Sequence, residues 1–220
     1  AGPTIDSLTD DVARVLGTVA RGGSTNDTHP TLTGTVGTNT GGIAGDYLRI
    51  FNGSTYLGDA VVDTVNGTWS FTPATALTEG NHALTAQWVT GGTANTDNGA
   101  NASNGASSAF NFTVDTTAPA APAAPDLLAA SDTGASATDD NTTDNTPGVT
   151  VAAPASGESI KLYVDGVEVA SVYDAANGTL TPTLPLGDGV HAISYGYVDA
   201  AGNVGAKSPA LAVTIDTTAP

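Results

Sequence analysis

Aspartate is the residue type in this chain whose number and placement could do chemistry. Of the 22 acidic residues, three are Glu and 19 are Asp, while Lys and Arg together number five, so the formal net charge is −17. The carboxylates fall in segments rich in Gly, Asn and Thr. A short carboxylate there can bond the turn of its own backbone, or it can act as an oxygen ligand for a hard cation. Both interpretations stay open for any single Asp.

Other chemistries find little support. There is no Cys, which excludes disulfides, thiol catalysis and thiolate metal sites. The three His residues, His29, His82 and His191, form no nucleophile arrangement and no zinc spacing. So acidic a chain would repel a phosphate backbone, and no run of 18 apolar residues occurs. We therefore expect no enzyme, no nucleic-acid binding and no membrane insertion.

An eight-residue phrase occurs twice and reveals the domain organisation. Residues 112–119 read FTVDTTAP and residues 213–220 read VTIDTTAP. Matched residues in the two halves of the chain keep the same order, while the number of residues that separates each matched pair falls along the chain. This is expected for two diverged copies that differ in loop length. We predict two domains, residues 1–117 and 118–220. The Pro-rich segment TTAPAAPAAP at 116–125 joins them as a short, semi-rigid linker.

Each copy is predicted to be an all-β, immunoglobulin-like β-sandwich. Apolar residues alternate along the strands, and Asn-Gly and Asp-Gly pairs mark tight hairpin turns. About a hundred residues per copy with about seven short strands fit such a sandwich. In the second copy the strands are expected near 125–130, 148–153, 159–165, 167–173, 178–184, 190–198 and 209–216.

Three segments of the second copy carry a family resemblance. They read APDLLAASDTGASATDDNTTDNTP, YVDAAGN and VTIDTTAP, and the first copy opens with SLTDDVARVLGTVARGGSTNDTHPTLTG. Together they resemble the bacterial Ig-like repeats of large secreted adhesins of the RTX and biofilm-associated types. The resemblance implies stalk-forming extender modules that lie outside the cell and bind calcium near domain junctions. The first copy departs from it, with Thr90 where the second copy has Asp199.

Two groups of residues become calcium candidates under this resemblance. Consecutive loops of a sandwich alternate between its two poles, so the first domain should gather several Asp at the pole facing the junction. The predicted junction set is Asp10, Asp11, Asp27 and Asp115 with Asp199 and Asn203 of the second domain. A second set is Asp132, Asp139, Asp140 and Asp144 beside Asp216. Calcium takes six to eight oxygens, and we expect it to make a flexible junction stiff.

The functional hypothesis is therefore structural. We expect tandem extender modules of a large secreted adhesin that supports cell adhesion or biofilm formation at the bacterial surface. Its partners would be calcium and the neighbouring Ig-like repeats of the same chain. We expect the protein to be a monomer, without a second copy as a partner. The alternative is a ligand-binding module that contacts a surface glycan or protein through loop 91–108.

Overall fold

The chain forms two compact units, each of which is described by itself. The computed structural model of the protein describes residues 2–37, 47–89, 105–136 and 138–218. Unit one is Ala1–Thr116 and unit two is Thr117–Pro220. In the described ranges every regular element is a β-strand, which confirms the all-β class.

Unit one is a sandwich of two five-stranded sheets. One sheet has the order β2-β1-β4-β8-β7, and the other has the order β3-β10-β9-β5-β6. Among the described strands of this unit, β3 and β10 pair in parallel and the other pairs are antiparallel. The strands in the described part of this unit are β1 Ser7–Asp10, β2 Gly17–Val19, β3 Ser24–Thr25, β4 Thr31–Thr35, β5 Tyr47–Asn52, β6 Thr55–Asp59, β7 Val61–Asp63, β8 Thr68–Phe71, β9 Gly80–Val89 and β10 Phe110–Val114.

Unit two repeats the plan with a four-stranded and a five-stranded sheet. Their orders are β11-β13-β17-β16 and β12-β19-β18-β14-β15. The parallel pair is again between a two-residue strand and the last strand, β12 and β19. The strands are β11 Asp126–Leu127, β12 Asn141–Thr142, β13 Val149–Thr150, β14 Ser159–Val164, β15 Val167–Val169, β16 Ser171–Asp174, β17 Thr179–Pro182, β18 Gly189–Val198 and β19 Leu211–Ile215.

The strands are more numerous and shorter than the predicted seven per domain. The strand expected at 167–173 is two strands, since Val167–Val169 pairs with β14 and Ser171–Asp174 pairs with β17 of the other sheet. Pattern alone does not show where a continuous extended segment changes sheets. The prediction also missed Asn141–Thr142, because two residues are too few to produce an alternation.

Two of the predicted turns show how the hairpins close. Asp165 and Gly166 have φ of 52° and 82°, the left-handed conformation that a tight two-residue hairpin requires. In unit one the paired strands end at Asn52 and Thr55, so the turn residues are Gly53 and Ser54. The sequence pattern predicts this turn at Asn52 and Gly53, which is one residue too early.

The two cores bury the alternating faces that the sequence indicates. In unit one, Leu84, Ala86 and Trp88 of β9 pack with Trp69 and Phe71 of β8. In unit two, Ile193, Tyr195 and Tyr197 of β18 pack with Leu and Val side chains. Each fully buried aliphatic or Phe side chain contributes about 1.5–3 kcal/mol. Both Trp residues are thus core residues.

Much of the Pro-rich segment belongs to unit two. Pro125 is buried, and a Cβ placed on Gly205 would lie 2.6 Å from the Pro119 carbonyl oxygen. Glycine at 205 is what allows the segment to approach so closely. The segment predicted as a linker therefore contacts unit two near Pro119 and is buried at Pro125, while most of the residues between them are exposed.

Candidate functional site

Thr25 is the hub of one pole of unit one. Its hydroxyl donates to Asp10 Oδ2 (2.6 Å) and accepts from the Asp27 backbone N–H (3.0 Å). Its carbonyl accepts from the backbone N–H of Asp115 (2.9 Å). Three of the predicted Asp residues are thus brought to one place by one threonine, which the parallel pairing of β3 with β10 positions. Asp11 is exposed beside them.

Within the described residues of unit one, two oxygens at this pole are buried without a hydrogen-bond donor. They are Asn26 Oδ1 and Asp27 Oδ2, and the Asp27 side chain is only 3% exposed. The other Asp27 oxygen accepts from the His29 backbone N–H at 2.7 Å. A buried carboxylate oxygen without a partner costs about 1–3 kcal/mol or more. Since both atoms are hard oxygen ligands, a cation is the kind of group that would satisfy them.

Asp10 differs from Asp27 because its carboxylate is fully used within the protein. It is 1% exposed, and its second oxygen accepts from the Val12 backbone N–H at 2.8 Å. Hydrogen bonds within the described residues therefore satisfy both carboxylate oxygens of Asp10 but only one carboxylate oxygen of Asp27. Asn26, which was not predicted, precedes Asp27 in the chain and has a buried oxygen without a hydrogen-bond donor as well. Its oxygen-bearing side chain beside an Asp was the signal that could have identified it.

Unit two builds the equivalent pole around Thr142. The Thr142 carbonyl accepts from the Asp216 backbone N–H, and its hydroxyl accepts from the Asp144 backbone N–H, each at 2.9 Å. Here the aspartate is satisfied internally. Asp144 Oδ2 accepts from the Ser131 hydroxyl at 2.8 Å, and Oδ1 accepts from the Thr146 backbone N–H at 2.9 Å. Asp216 Oδ1 accepts from the Thr218 backbone N–H.

Burial and neighbouring negative charges disfavour the ionised form of some of the remaining acids at this pole. Asp132 is 7% exposed, and its Oδ1 is buried without a hydrogen-bond partner. Burial, followed by the negative charges of Asp132, Asp126 and Asp139, raises the pKa of Asp140. Asp140 also has a positive φ of 57°. Asp139 caps a turn, accepting from the Asn141 backbone N–H.

Asp199 and Asn203 are hydrogen-bonded to each other within one loop of unit two. Asp199 Oδ1 accepts from the backbone N–H groups of Ala201 and Asn203, and Oδ2 accepts from the Asn203 side-chain amide, all at 2.9 Å. Turn chemistry therefore explains why these two residues occur together. Whether they also share a cation with the junction set stays a prediction.

No complete metal cage is present in the parts of the chain that the structure describes. Within 2–37, 47–89, 105–136 and 138–218, no three His, Asp or Glu side chains form a group that could hold a metal ion. A cation at Asp27 would therefore take amide, backbone or water oxygens for most of its shell. The same residues include no helix long and apolar enough to cross a membrane.

The last strands of both units end in matching clamps that the sequence did not predict. The Thr116 backbone N–H and hydroxyl donate to Glu79 Oε2 at 2.9 and 2.7 Å. The Thr217 backbone N–H and hydroxyl donate to Asp188 Oδ1 at 3.0 and 2.8 Å. These bonds explain why Thr follows Asp in both copies of the repeated phrase.

The alternative binding loop lies mostly outside the described residues. Of loop 91–108, residues 91–104 lie outside the described ranges, as does Thr90, and residues 105–108 are described. The Ser107 hydroxyl accepts from the Ala86 backbone N–H at 2.9 Å, so this end of the loop is fastened to β9. A ligand-binding role for the loop stays a prediction.

The comparisons with known proteins define the class to which the two sandwiches belong. A family model described as bacterial Ig-like domain matches the chain twice, over residues 12–116 and 118–217. The chain therefore belongs to the bacterial Ig-like domain family, in two tandem copies. This confirms the Ig-like part of the resemblance and the repeat, while the adhesin context stays a prediction.

The chain is similar to the fibronectin(III)-like modules of CbhA from Clostridium thermocellum, with 18% identity, a TM-score of 0.49, and coverage of 97% of this chain and 94% of that one. It is also similar to a putative membrane anchored protein from Corynebacterium diphtheriae, with 11% identity, a TM-score of 0.33, and coverage of 90% and 31%. The search among curated proteins found no match.

Proposed function

We propose that this tandem pair is an extender segment of a large secreted bacterial adhesin, stiffened by calcium at the junction between its two domains. In this role the pair works outside the cell as a monomer and as part of a longer array, in support of adhesion or biofilm formation. It has no catalytic activity. Its partners are calcium and the adjoining Ig-like repeats.

The observation that carries the calcium part of the proposal is the unsatisfied pair of oxygens at Asn26 and Asp27. Burial of an ionised carboxylate oxygen without a donor is unfavourable. A hard cation removes that penalty and accepts both oxygens as ligands. Asp10 lies at the same pole through Thr25 and adds negative charge there. In the proposal, Asp115, Asp199 and Asn203 supply further oxygens.

The anchoring of the chain between the units supports an extender role. Thr116 is clamped to unit one by Glu79, and Pro119 packs against Gly205 of unit two. Only two residues, 117 and 118, separate these anchors. A connection this short restricts the conformations available to the chain, which suits a module whose task is to hold distance.

Calcium would act by linkage between binding and folding. A ligand that binds the folded state alone stabilises it by RT ln(1 + [L]/Kd), about 2.7 kcal/mol at 100 times Kd. Both Trp residues, Trp69 and Trp88, lie in unit one. Tryptophan fluorescence therefore reports the unfolding of unit one within the intact chain.

The first test is thermal unfolding of the full chain in EDTA and in millimolar calcium, followed by tryptophan fluorescence. We expect calcium to raise the Tm of the wild type and to have no effect on Asp27→Asn. The matched control is Asp63→Asn, which removes the same charge from the same unit at an exposed turn and should keep the response. An equal calcium response in Asp27→Asn would contradict the site.

Solution scattering tests the extender part separately. Calcium should give a longer and narrower particle, and Asp115→Ala should abolish that lengthening while leaving unit one folded. If calcium changes neither the Tm nor the particle length, calcium is rejected as the organising ligand. The Asp clusters are then turn chemistry, and the ligand-binding alternative gains support.

A further inference from the structure

Both ring nitrogens of His191 face a hydrogen-bond acceptor. Nδ1 lies 2.8 Å from Asp165 Oδ2, and Nε2 lies 2.9 Å from the Gly187 carbonyl oxygen. A neutral imidazole has one N–H, so it can donate to only one of these oxygens. The imidazolium form donates to both. The geometry around His191 is therefore complete only when the ring is protonated.

The equivalent histidine of unit one has different partners. His82 Nε2 also lies near a carbonyl oxygen, that of Thr78, at 2.7 Å. Its Nδ1, however, lies 2.7 Å from the side-chain amide nitrogen of Asn52. The orientation of that amide is fixed, because Asn52 Oδ1 accepts from the Ala83 backbone N–H. The neutral ring with its proton on Nε2 satisfies both contacts of His82.

We propose that His191, Asp165 and the Gly187 carbonyl form a proton-dependent clasp in unit two, one that unit one lacks at the same position because Asn52 replaces a carboxylate. The clasp ties the β14–β15 hairpin to the loop before β18. It goes beyond the proposed function, since it involves none of the predicted calcium ligands and does not require calcium.

The Asp165 carboxylate is the charge that favours the protonated ring. Asp165 faces it from the hairpin and is held in place by the Ala192 backbone N–H, at 2.9 Å. Asp188 lies in the loop before β18, and its carboxylate accepts a hydrogen bond from the Thr217 hydroxyl. Lys207 Nζ donates to the Gly166 carbonyl at the hairpin (2.8 Å). On β19 the residue opposite His191 is the apolar Val213.

The pH dependence of the clasp follows from two shifts of opposite direction. The hydrogen bond that His191 donates to Asp165, and then the one it donates to the Gly187 carbonyl, raise the pKa of His191. Its contribution to stability is present below about pH 6.5 and is lost as pH rises through the folded-state pKa. The bonds from Ala192 and His191 lower the pKa of Asp165, so its contribution is lost only in acid, below about pH 3.9.

The clasp borders the clamp that holds the end of unit two. Gly187 immediately precedes Asp188, which binds the backbone and hydroxyl of Thr217. Loss of the imidazolium releases one of the two contacts of His191 and loosens the loop that carries Asp188. We therefore expect the hold on Thr217 to weaken as pH rises from mildly acidic to mildly alkaline.

The test is an NMR titration of the full chain in EDTA from pH 5 to 8.5, with amide-exchange protection factors for Ala192 and Thr217. The wild-type His191 midpoint should lie above the ordinary histidine value, and both protection factors should fall through it. Asp165→Asn is nearly isosteric and keeps an acceptor for Ala192. It should lower the midpoint and flatten the pH dependence of both amides.

Asn52→Asp is the reciprocal variant, because it gives His82 the carboxylate that His191 has. We expect the His82 midpoint to rise and that of His191 to stay unchanged. The proposal is overturned if wild type and Asp165→Asn share one His191 midpoint. It is equally overturned if the protection factors do not follow that midpoint. Neither result would bear on calcium, which is absent from the experiment.

Discussion

The corresponding poles of the two units differ in how one aspartate is satisfied. In unit two the Ser131 hydroxyl donates to Asp144 Oδ2. In unit one the corresponding oxygen, Asp27 Oδ2, is buried without a donor. Both aspartates follow a Thr by two residues and bond to that Thr in the same way. The two units share this arrangement, and one neighbouring side chain, Ser131, decides whether this particular aspartate has a donor for its second oxygen; among the described residues of unit two the buried oxygen without a partner is instead Asp132 Oδ1.

This difference shows how a repeat can diversify without a change of fold. The Thr hub, the parallel pair with the last strand and the Thr clamp are the same in both units. What varies is single side chains. The Ser131 hydroxyl donates to Asp144 in unit two, whereas Asp27 Oδ2 has no such donor in unit one, and the side chain beside the equivalent histidine is Asn52 in unit one and Asp165 in unit two. On our proposal a protein hydroxyl does in unit two what calcium does in unit one.

The largest effect that separates the poles should come from Ser131→Ala. The Ser131 hydroxyl donates to Asp144 and also accepts from the Gly148 backbone N–H at 3.0 Å. Its removal leaves a carboxylate oxygen and a buried N–H without partners, which should cost roughly 3 kcal/mol. Urea unfolding followed by tyrosine near-ultraviolet circular dichroism measures this, since four of the six Tyr lie in unit two.

Ser136→Ala is the control for Ser131→Ala. Ser136 lies in the same loop but is exposed, and among the described residues its hydroxyl bonds to that of Thr138, at 3.1 Å. Its replacement should change the free energy of unfolding by less than about 0.5 kcal/mol. If the two Ser variants were equally stable, Ser131 would not be what distinguishes the poles.

The sequence predicts the fold well because repetition and alternation are properties of many residues at once. Strand faces such as Phe110, Phe112 and Val114 are buried as predicted. The small strands at Ser24–Thr25 and Asn141–Thr142 were missed, although they create the Thr hubs. Two residues carry no periodicity, and their parallel pairing depends on a strand about 70–90 residues later in the chain.

The candidate site is less predictable because it depends on single hydrogen bonds. The sequence identifies Asp10, Asp27 and Asp115 as neighbours. It cannot show that Asp10 is satisfied by Thr25 and Val12 while Asp27 keeps one oxygen unsatisfied. Likewise the pairing of His191 with Asp165, rather than with an Asn as in unit one, appears only when both sides of the hairpin are in place.

A smaller effect, of opposite sign in the two units, should come from replacing each aspartate with Asn in EDTA. Asp27→Asn removes an unsatisfied buried charge and keeps an oxygen for the His29 backbone N–H, so unit one should gain about 1 kcal/mol. Asp144→Asn removes the acceptor of the Ser131 hydroxyl, so unit two should lose about 1 kcal/mol. Urea unfolding followed by tryptophan fluorescence measures the first and tyrosine circular dichroism the second. Effects of the same sign would contradict the comparison.

The smallest effect should be the same in both units, because here their turns are alike. The Asn66 side chain donates to Asp63 and the Asn177 side chain donates to Asp174, each at 2.6 Å. These bonds, with those from nearby backbone N–H groups, lower the pKa of both carboxyls.

A lowered Asp pKa stabilises the fold above the unfolded-state value of about 3.9, and this contribution is lost as pH falls through the folded-state pKa. Asn66→Ala and Asn177→Ala should each raise the pKa of the neighbouring carboxyl toward its ordinary value, as read by NMR titration of the side-chain carboxyl carbons. Both carboxyls are exposed, so the change in stability should be small. A shift in only one unit would show that the likeness of these turns does not extend to their electrostatics, and that the difference between the units is wider than the poles.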